Sequence, residues 1–132
     1  MIFGLDYDDT FTADPDLWHA FATLAAKRGH RVIGVTARNR DQIIEDQKLL
    51  AACESVVYCA GHAKYDAVLT LLDLTVDVWI DDKPHYVSQS YASVHGGRYP
   101  MDDAHELTYV PMVVSTKNLS ENVNTTRKVG DT

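Results

Sequence analysis

The sequence predicts an α/β protein built on a mostly parallel central sheet of about five strands, with helices on both faces. Short apolar runs of strand length alternate with amphipathic stretches of helical length, a pattern that implies right-handed βαβ units. The 132 residues are the size of one domain, and a hydrophobic content of 45% is enough to build a core between layers. Parallel sheets bind ligands beyond the carboxyl ends of their strands, so the polar residues after each strand are the candidates for a site.

The first strand is predicted at Ile2–Leu5, an apolar run that ends in a cluster of carboxylates. Asp6, Asp8 and Asp9 follow it, and a hydroxyl, Thr10, comes next. If the extended backbone continues, the side chains of Asp6 and Asp8 share a face and converge on one small volume. Like charges this close need a cation or a proton, and Mg²⁺ is a hard ion that prefers carboxylate oxygen. The alternative is an acidic turn after a core strand.

A helix and a second strand follow. The helix is capped by Asp14 and ends near Lys27, where a basic turn and Gly29 supply a stop signal. Its apolar stripe is expected to cover one face of the sheet: Leu17, Trp18, Phe21, Leu24 and Ala25. The β-branched run Arg31–Thr36 predicts the second strand, which ends in a hydroxyl.

The middle of the chain predicts two more helices around a third strand. Asn39 is expected to cap a helix that runs through Ala52, and Ser55–Cys59 is the third strand. A third helix, from about Ala63 to Asp73, carries Lys64 in its first turn. The residues expected to point inward are Tyr65, Val68, Leu69 and Leu72. A lysine at a helix start needs an anion nearby or is solvated, because the dipole disfavours a cation there.

The fourth strand, Val76–Ile80, again delivers carboxylates at its end, Asp81 and Asp82, before Lys83-Pro84 begins another helix. A fifth strand is predicted within 109–114, and Pro111 places it at an edge of the sheet.

The amino-acid composition predicts how the chain is organised and in which compartment the protein is found. The folded domain is predicted to span 1–114, and the polar residues 115–132 are predicted to form a mobile tail. The net charge of −7 disfavours unspecific attraction to nucleic acid or an anionic membrane. No apolar run approaches the roughly 20 residues of a membrane span, so a cytoplasmic protein without a membrane partner is expected. Cys53 and Cys59 are predicted to be buried thiols. Monomer and homo-oligomer both stay open.

In chain order, these strand and helix ends resemble the four motifs of the haloacid dehalogenase (HAD) superfamily of phosphotransferases. The motifs correspond to Asp6-Tyr7-Asp8-Asp9-Thr10, Val-Ile-Gly-Val-Thr36, Lys64 and Val-Trp-Ile-Asp81-Asp82. The resemblance covers residues 1 to about 84, and its first and fourth motifs are fairly specific. It implies a Rossmann-like three-layer sandwich and a Mg²⁺-dependent phosphomonoester hydrolase.

The resemblance also implies residue roles. Asp6 would be the nucleophile that forms an aspartyl-phosphate, and Asp8 the general acid and then the general base. Thr36 and Lys64 would stabilise the oxygens of the transferred phosphoryl group. Thr10 is a further candidate for substrate contact. Independently of the resemblance, Arg38 is another, because a guanidinium suits phosphate and Arg38 lies just after Thr36; the alternative is a solvent-exposed arginine on a loop.

The metal would be held by Asp6, the main-chain carbonyl of Asp8 and an aspartate of the fourth strand. Asp81 is the first choice for that ligand, with Asp82 either a second ligand through water or the orienting partner of Lys64. Asp9 departs from the glycine common at that point of the first motif, which puts the geometry of the turn in question.

The spacing of the motifs leaves no room for a cap domain. Capless members of the superfamily act on large substrates or gain a lid by oligomerising, so an open site is expected. The Asp81-Asp82-Lys83-Pro84 segment resembles the phosphatase half of phage-type polynucleotide kinases, which makes nucleotides or nucleic-acid ends candidate substrates. The acidic balance argues mildly against long nucleic acid.

Other classes are also compatible with parts of this pattern. A receiver-like binding module combines an acidic pair, a phospho-accepting Asp, a Thr and a Lys, but its acceptor lies on the third strand, which here ends at Cys59-Ala60-Gly61 without a carboxylate. A catalytically silent relative that binds metal or a phosphorylated ligand stays open, although intact Asp6 and Asp8 argue against it. A dehalogenase would leave Asp8 without a role.

Overall fold

The computed structural model describes residues 1–97 and 110–116, and these form an α/β fold. The strands are β1 (Ile2–Leu5), β2 (Arg31–Thr36), β3 (Ser55–Tyr58), β4 (Val78–Ile80) and β5 (Met112–Ser115). The helices are α1 (Pro15–Lys27), α2 (Gln47–Ala52), α3 (Lys64–Leu72), α4 (His85–Ser88) and α5 (Tyr91–Val94). A short helical turn, Tyr7–Phe11, follows β1.

The five strands form one sheet in the order β4-β1-β2-β3-β5. The pairs among β4, β1, β2 and β3 are parallel, and β5 lies antiparallel to β3 at the edge. The prediction of a mostly parallel sheet of about five strands, with the last at an edge, is confirmed. Because β4, β1 and β2 are adjacent and parallel, their carboxyl ends meet at one rim, where the predicted site residues begin.

The sheet contributes to a core on each of its faces. One cluster joins it to α1 and α2 through Phe3, Leu5, Val32, Val56, Ala22, Ala25 and Leu49. The other joins it to α3 through Ile33, Val35, Val57, Ala67 and Val68. Neighbouring residues of one strand enter opposite clusters, which explains why the strands read as continuous apolar runs rather than as alternating ones.

The second helix begins later than the sequence predicts. α2 starts at Gln47, so the helix predicted from Asn39 is wrong over residues 39–46. The Asn39 side chain accepts a hydrogen bond from the amide of Asp41 (2.8 Å), which closes a local turn instead of capping a helix. Asp46 is the actual cap, because its carboxylate accepts the amide of Lys48 at 3.0 Å.

Only part of each predicted apolar stripe of α1 and α3 is buried against the sheet. In α1, Ala22 and Ala25 are buried, whereas Leu17 and Leu24 are 52% and 58% exposed. α3 follows the same rule, because Ala67 and Val68 are buried while the predicted inward residues Tyr65 and Leu69 are exposed. The predicted residues Trp18, Phe21 and Ala25 of α1 and Val68 of α3 do pack in the core, together with two alanines that were not predicted, Ala22 and Ala67. The predicted stripes were wrong at the exposed positions.

The ends of the elements also shift slightly. β4 begins at Val78 and β5 extends to Ser115. Thr116 is buried, and its hydroxyl donates to the carbonyl of Cys53. Residues 117–132 of the predicted tail and Tyr109 of the predicted fifth strand lie outside the described residues.

The two segments in which a cap domain could be inserted are described in full. Only the 7–11 turn and α1 separate β1 from β2, and a loop and α2 separate β2 from β3, so neither segment holds a cap. None of the helices in the described part of the chain is long and apolar enough to cross a membrane.

Candidate functional site

The carboxyl ends of β1 and β4 form a group of polar side chains that we call the inner cluster: Asp6, Thr10, Lys64, Asp81 and Asp82. Asp6 immediately follows β1, and its amide still donates to the carbonyl of Ile80 (3.0 Å). This hydrogen bond continues the ladder between β1 and β4 by one residue and holds Asp6 beside Asp81. The topology of the sheet therefore brings together carboxylates that lie far apart in sequence.

Lys64 is the central cation of the inner cluster. It begins α3, is buried, and places its Nζ 2.8 Å from Asp6 Oδ1 and 2.5 Å from Asp81 Oδ2. Of the two settings predicted for a lysine at this helix start, a nearby anion or solvent, the structure shows the first, with two carboxylates as partners. Asp81 contacts Lys64, so Asp82 is not its orienting partner.

Thr10 joins the two strand ends on the other side of Asp6. Its hydroxyl oxygen lies 2.9 Å from Asp6 Oδ2 and 3.0 Å from Asp82 Oδ1, and it accepts the amide of Asp82 at 3.0 Å. The single hydroxyl proton can be donated to only one of the two carboxylates at a time. The remaining oxygen of Asp82 accepts from Lys83 Nζ (2.9 Å), which sequence reasoning did not assign to the site.

Burial and charge shift the protonation of these groups in different directions. Burial raises the pKa of Asp6 to about 6, although the Lys64 charge opposes the shift. Burial alone would lower the pKa of Lys64, but the charges of Asp6 and Asp81 outweigh it and the pKa is raised. Partial burial acts to raise the pKa of Asp82. Its hydrogen bonds to Lys83 and Thr10 outweigh that effect and lower the pKa to about 2. At neutral pH the cluster thus holds ionised Asp6 and Asp82 beside a charged Lys64.

Three members of the inner cluster could hold a metal ion. Asp6, Asp81 and Asp82 each offer a carboxylate oxygen, and these oxygens lie within 4.8 Å of one another. All three donors are hard oxygens, which is the chemistry that Mg²⁺ requires. The carboxylate of Asp8 is not in this group, and the resemblance assigned only its main-chain carbonyl to a metal.

Asp8 is separated from the inner cluster by the turn that follows β1. The backbone reverses at Asp9, whose φ of 65° and ψ of −1° lie in the left-handed region. The amide of Asp9 donates to Thr12 Oγ1 (2.8 Å), and that of Phe11 to the carbonyl of Asp6 (3.2 Å). Asp6 (φ −73°, ψ 151°) and Asp8 (φ −66°, ψ 127°) both have an extended backbone, but their carboxylates have different partners.

Asp8 and Arg38 form what we call the outer pair. Arg38 donates from both Nε and Nη2 to the two oxygens of Asp8, at 2.9 Å each. The guanidinium carbon lies 5.0 Å from the centroid of the Tyr7 ring, so the aromatic face supports it. The bond to Asp8 raises the pKa of Arg38. Arg38 thus reaches the rim as predicted, but its guanidinium meets a carboxylate of the same rim.

Thr36 ends β2 beside β1 and is buried. Its hydroxyl accepts the amide of Arg38 at 3.1 Å, and its carbonyl accepts the amide of Cys59 at 2.8 Å. These bonds tie the loop after β2 to the loop after β3. Thr36 is therefore held at the carboxyl end of β2, at the start of the loop that carries Arg38.

A cleft of about 330 Å³ opens beside the outer pair. Asp8, Arg38 and Lys83 supply its charges, and Tyr86 and Tyr91 supply aromatic rings. Sequence reasoning missed both tyrosines because α4 and α5 each span four residues, too few for a periodic pattern to show which side faces the site.

The two cysteines take no part in this site. Cys53 and Cys59 are buried and free, as predicted. Burial raises the pKa of each thiol to about 12, so neither forms a thiolate near neutral pH.

Comparison with known proteins adds no relative. No protein-family model, no curated protein and no solved structure matches this chain.

Proposed function

We propose that this protein is a Mg²⁺-dependent phosphomonoester hydrolase that works through an aspartyl-phosphate on Asp6. We also propose that it is a capless member of the HAD superfamily, with a Rossmann-like three-layer sandwich. One observation carries the proposal: a buried carboxylate at the end of a central strand is bound by a buried lysine, with two more carboxylates beside it. Proteins rarely bury this much charge without a ligand or a reaction that uses it.

In the first step, an oxygen of Asp6 attacks the phosphorus of the substrate. A bond forms between that oxygen and phosphorus while the bond from phosphorus to the leaving oxygen breaks, and Asp8 gives its proton to the leaving oxygen. The pKa of about 6 leaves Asp6 mainly ionised at neutral pH, as a nucleophile requires. Lys64 supplies positive charge beside the attacking carboxylate of Asp6.

In the second step, a water molecule attacks the phosphorus of the aspartyl-phosphate. Asp8 takes a proton from that water, the bond from phosphorus to Asp6 breaks, and inorganic phosphate leaves. Asp6, Asp81 and Asp82 would hold the Mg²⁺, which when bound neutralises charge on the phosphoryl oxygens. The exposed position of Asp8 lets it exchange protons with solvent between the two steps.

A second candidate is a catalytically silent module, HAD-like or receiver-like, that binds a metal or a phosphorylated ligand. The outer pair favours it, because both oxygens of Asp8 accept hydrogen bonds from Arg38 and the carboxylate is directed at that guanidinium rather than at a leaving group. The two candidates differ in whether Asp8 leaves Arg38 when substrate binds.

Phosphate release from a panel of phosphomonoesters separates the two candidates. The panel contains nucleotides, short oligonucleotides phosphorylated at the 3′ or 5′ end, and phosphopeptides, each with Mg²⁺ and with excess chelator. We expect release that needs Mg²⁺ and that falls to background in Asp6→Asn, while the thermal unfolding of that variant remains cooperative. Release that continues in chelator would refute the metal role, and full activity of Asp6→Asn would remove the nucleophile. A panel with no turnover supports the silent module.

A further inference from the structure

Three aromatic rings from the segment after β4 form what we call the aromatic wall: Tyr86 of α4, with Tyr91 and His95 of α5 and its end. The rings of Tyr91 and His95 stack with centroids 3.9 Å apart. Tyr86 lies edge to edge with His95 through a hydrogen bond of 2.9 Å between its Oη and His95 Nε2, with an interplanar angle of 20°. The planes of Tyr86 and Tyr91 differ by only 7°. Tyr91 and His95 thus form a stacked pair, and the ring of Tyr86 lies next to this pair in a nearly parallel plane.

The aromatic wall is fixed to the framework of the site at two points. α4 begins two residues after Lys83, whose Nζ binds Asp82 of the inner cluster. The amide of Tyr91 donates to the carbonyl of Gly61 (2.7 Å) in the loop that leads to Lys64. Tyr86 and Tyr91 line the same cleft as Asp8 and Arg38. A molecule in this cleft can thus touch the rings and the outer pair together.

The composition of the cleft indicates the kind of molecule that fits. Parallel rings bind flat π-systems by stacking. Gln42 also lines the cleft. Its side-chain oxygen accepts from the amide of Asn39 (3.2 Å), and its NH₂ group can donate to the edge of a heteroaromatic ring. The volume of about 330 Å³ is near the lower end of ordinary ligand pockets, about 300–1,000 Å³, which suits one nucleoside better than a polymer.

We propose that the aromatic wall stacks the base of a nucleoside monophosphate whose phosphate is bound at the inner cluster. This inference rests on the proposed hydrolase and adds what selects its substrate. A nucleobase uses the hydrogen-bonding edge offered by Gln42, which the phenyl ring of a phosphotyrosine cannot. The net charge of −7 further favours a mononucleotide over a long polyanion.

The test compares ligands that differ only in the base. Adenosine 5′- and 3′-monophosphate and ribose 5-phosphate are titrated with Mg²⁺ into the Asp6→Asn protein, so that binding is measured without turnover. Stacking of one base corresponds to an affinity gain of about 5- to 100-fold, so at least one nucleotide should bind that much more tightly than ribose 5-phosphate. Equal affinities for all three overturn the proposal, as does tighter binding of a phosphotyrosine peptide.

Variants of the aromatic wall then show which rings give the protein its preference for nucleotides over ribose 5-phosphate. Tyr86→Leu and Tyr91→Leu remove a ring but keep apolar bulk, and we expect each to reduce the nucleotide preference while the affinity for ribose 5-phosphate stays unchanged. Tyr86→Phe retains the ring and should retain the preference. Tyr65→Leu is the matched control, because Tyr65 is an exposed tyrosine of α3 that does not line the cleft. A preference that survives both leucine substitutions in full overturns the proposal.

The same ligands distinguish this inference from the proposed hydrolase. If the wild-type protein releases phosphate equally well from nucleotides and ribose 5-phosphate, the hydrolase stands and the aromatic wall is not a base site. If nucleotides bind with a base-dependent preference but no phosphate is released, the wall stands and the hydrolase fails.

Discussion

The inner cluster and the outer pair are both carboxylate–cation arrangements at the same rim of the sheet, but they differ in burial. The side chains of Lys64, Asp6 and Asp81 are 3%, 8% and 3% exposed. Those of Arg38 and Asp8 are 30% and 49% exposed. Two ion pairs built at neighbouring strand ends therefore lie in very different dielectric surroundings.

This difference suits the two regions to different tasks. A buried carboxylate that loses its cation has no water to replace it, so the inner cluster is held in one arrangement. An exposed ion pair exchanges its partner for water at little cost, so Asp8 is able to leave Arg38. We infer that the inner cluster fixes the nucleophile and the metal ligands, while the outer pair provides the group that changes partner during the reaction.

The sharpest test of this division is Asp8→Asn. An amide cannot donate and recover a proton as the carboxyl group does, so we expect kcat to fall by about 10²- to 10⁴-fold. The loss should be smaller for 4-nitrophenyl phosphate than for an alkyl phosphate, because nitrophenolate leaves without a proton. Asp9→Asn, one residue further along the turn, is the matched control and should retain activity. An equal loss with both esters would contradict the role of Asp8 as the general acid.

A second test compares the stability of the two regions. Lys64→Met leaves Asp6 and Asp81 buried without their cation, and we expect the free energy of unfolding in chelator to fall by about 3–5 kcal/mol. Arg38→Met removes an exposed cation, and we expect a change of at most about 1 kcal/mol.

Urea unfolding of both variants at pH 7.5, about one unit or more above the pKa of Asp6, measures this difference. Equal losses in the two variants would show that burial does not separate the inner cluster from the outer pair. A Lys64→Met protein as stable as the wild type would mean that the carboxylates find another partner.

The sequence predicted the inner cluster better than the outer pair, and sheet topology explains why. Once β1 and β4 are recognised as parallel strands, Asp6 and Asp81 must meet at one rim, since both follow the carboxyl end of a strand. Lys64 could be added because an unusual cation at a helix start required an anion. These inferences needed only the order of the elements.

The order of the elements alone does not predict which residue each carboxylate contacts. Asp81 and Asp82 are adjacent, and the turn after β4 decides that one meets Lys64 and the other meets Thr10 and Lys83. Asp8 pairs with Arg38 from within the 7–11 turn, whose irregular backbone at Asp8 and Asp9 no periodic pattern reveals. The roles of neighbouring residues thus depend on turn geometry.

The start of α2 was predicted wrongly for a related reason. Residues 39–46 contain Asn, Asp and Gln side chains that bond to the nearby backbone, and these local bonds replaced the helical ones. The apolar residue Ile44 supports the loop in another way, because its amide donates to Tyr58 Oη at 2.9 Å. Ile44 is thus buried in a loop rather than in a helix.

The smallest expected effect concerns Asp9, which the resemblance singled out as a departure from glycine. Its φ of 65° disfavours any side chain with a Cβ, and its carboxylate lies 3.5 Å from Lys83 Nζ. Asp9→Gly removes both the carboxylate and the backbone strain, whereas Asp9→Ala removes the carboxylate but keeps a Cβ. Comparing the two variants therefore separates the effect of strain from the effect of charge. We expect the glycine variant to be more stable than the alanine variant by about 1 kcal/mol, the cost of a left-handed residue. Thermal unfolding of the two proteins measures this difference, and equal midpoints would mean that the turn holds its shape through the bond from the Asp9 amide to Thr12 rather than at the expense of strain.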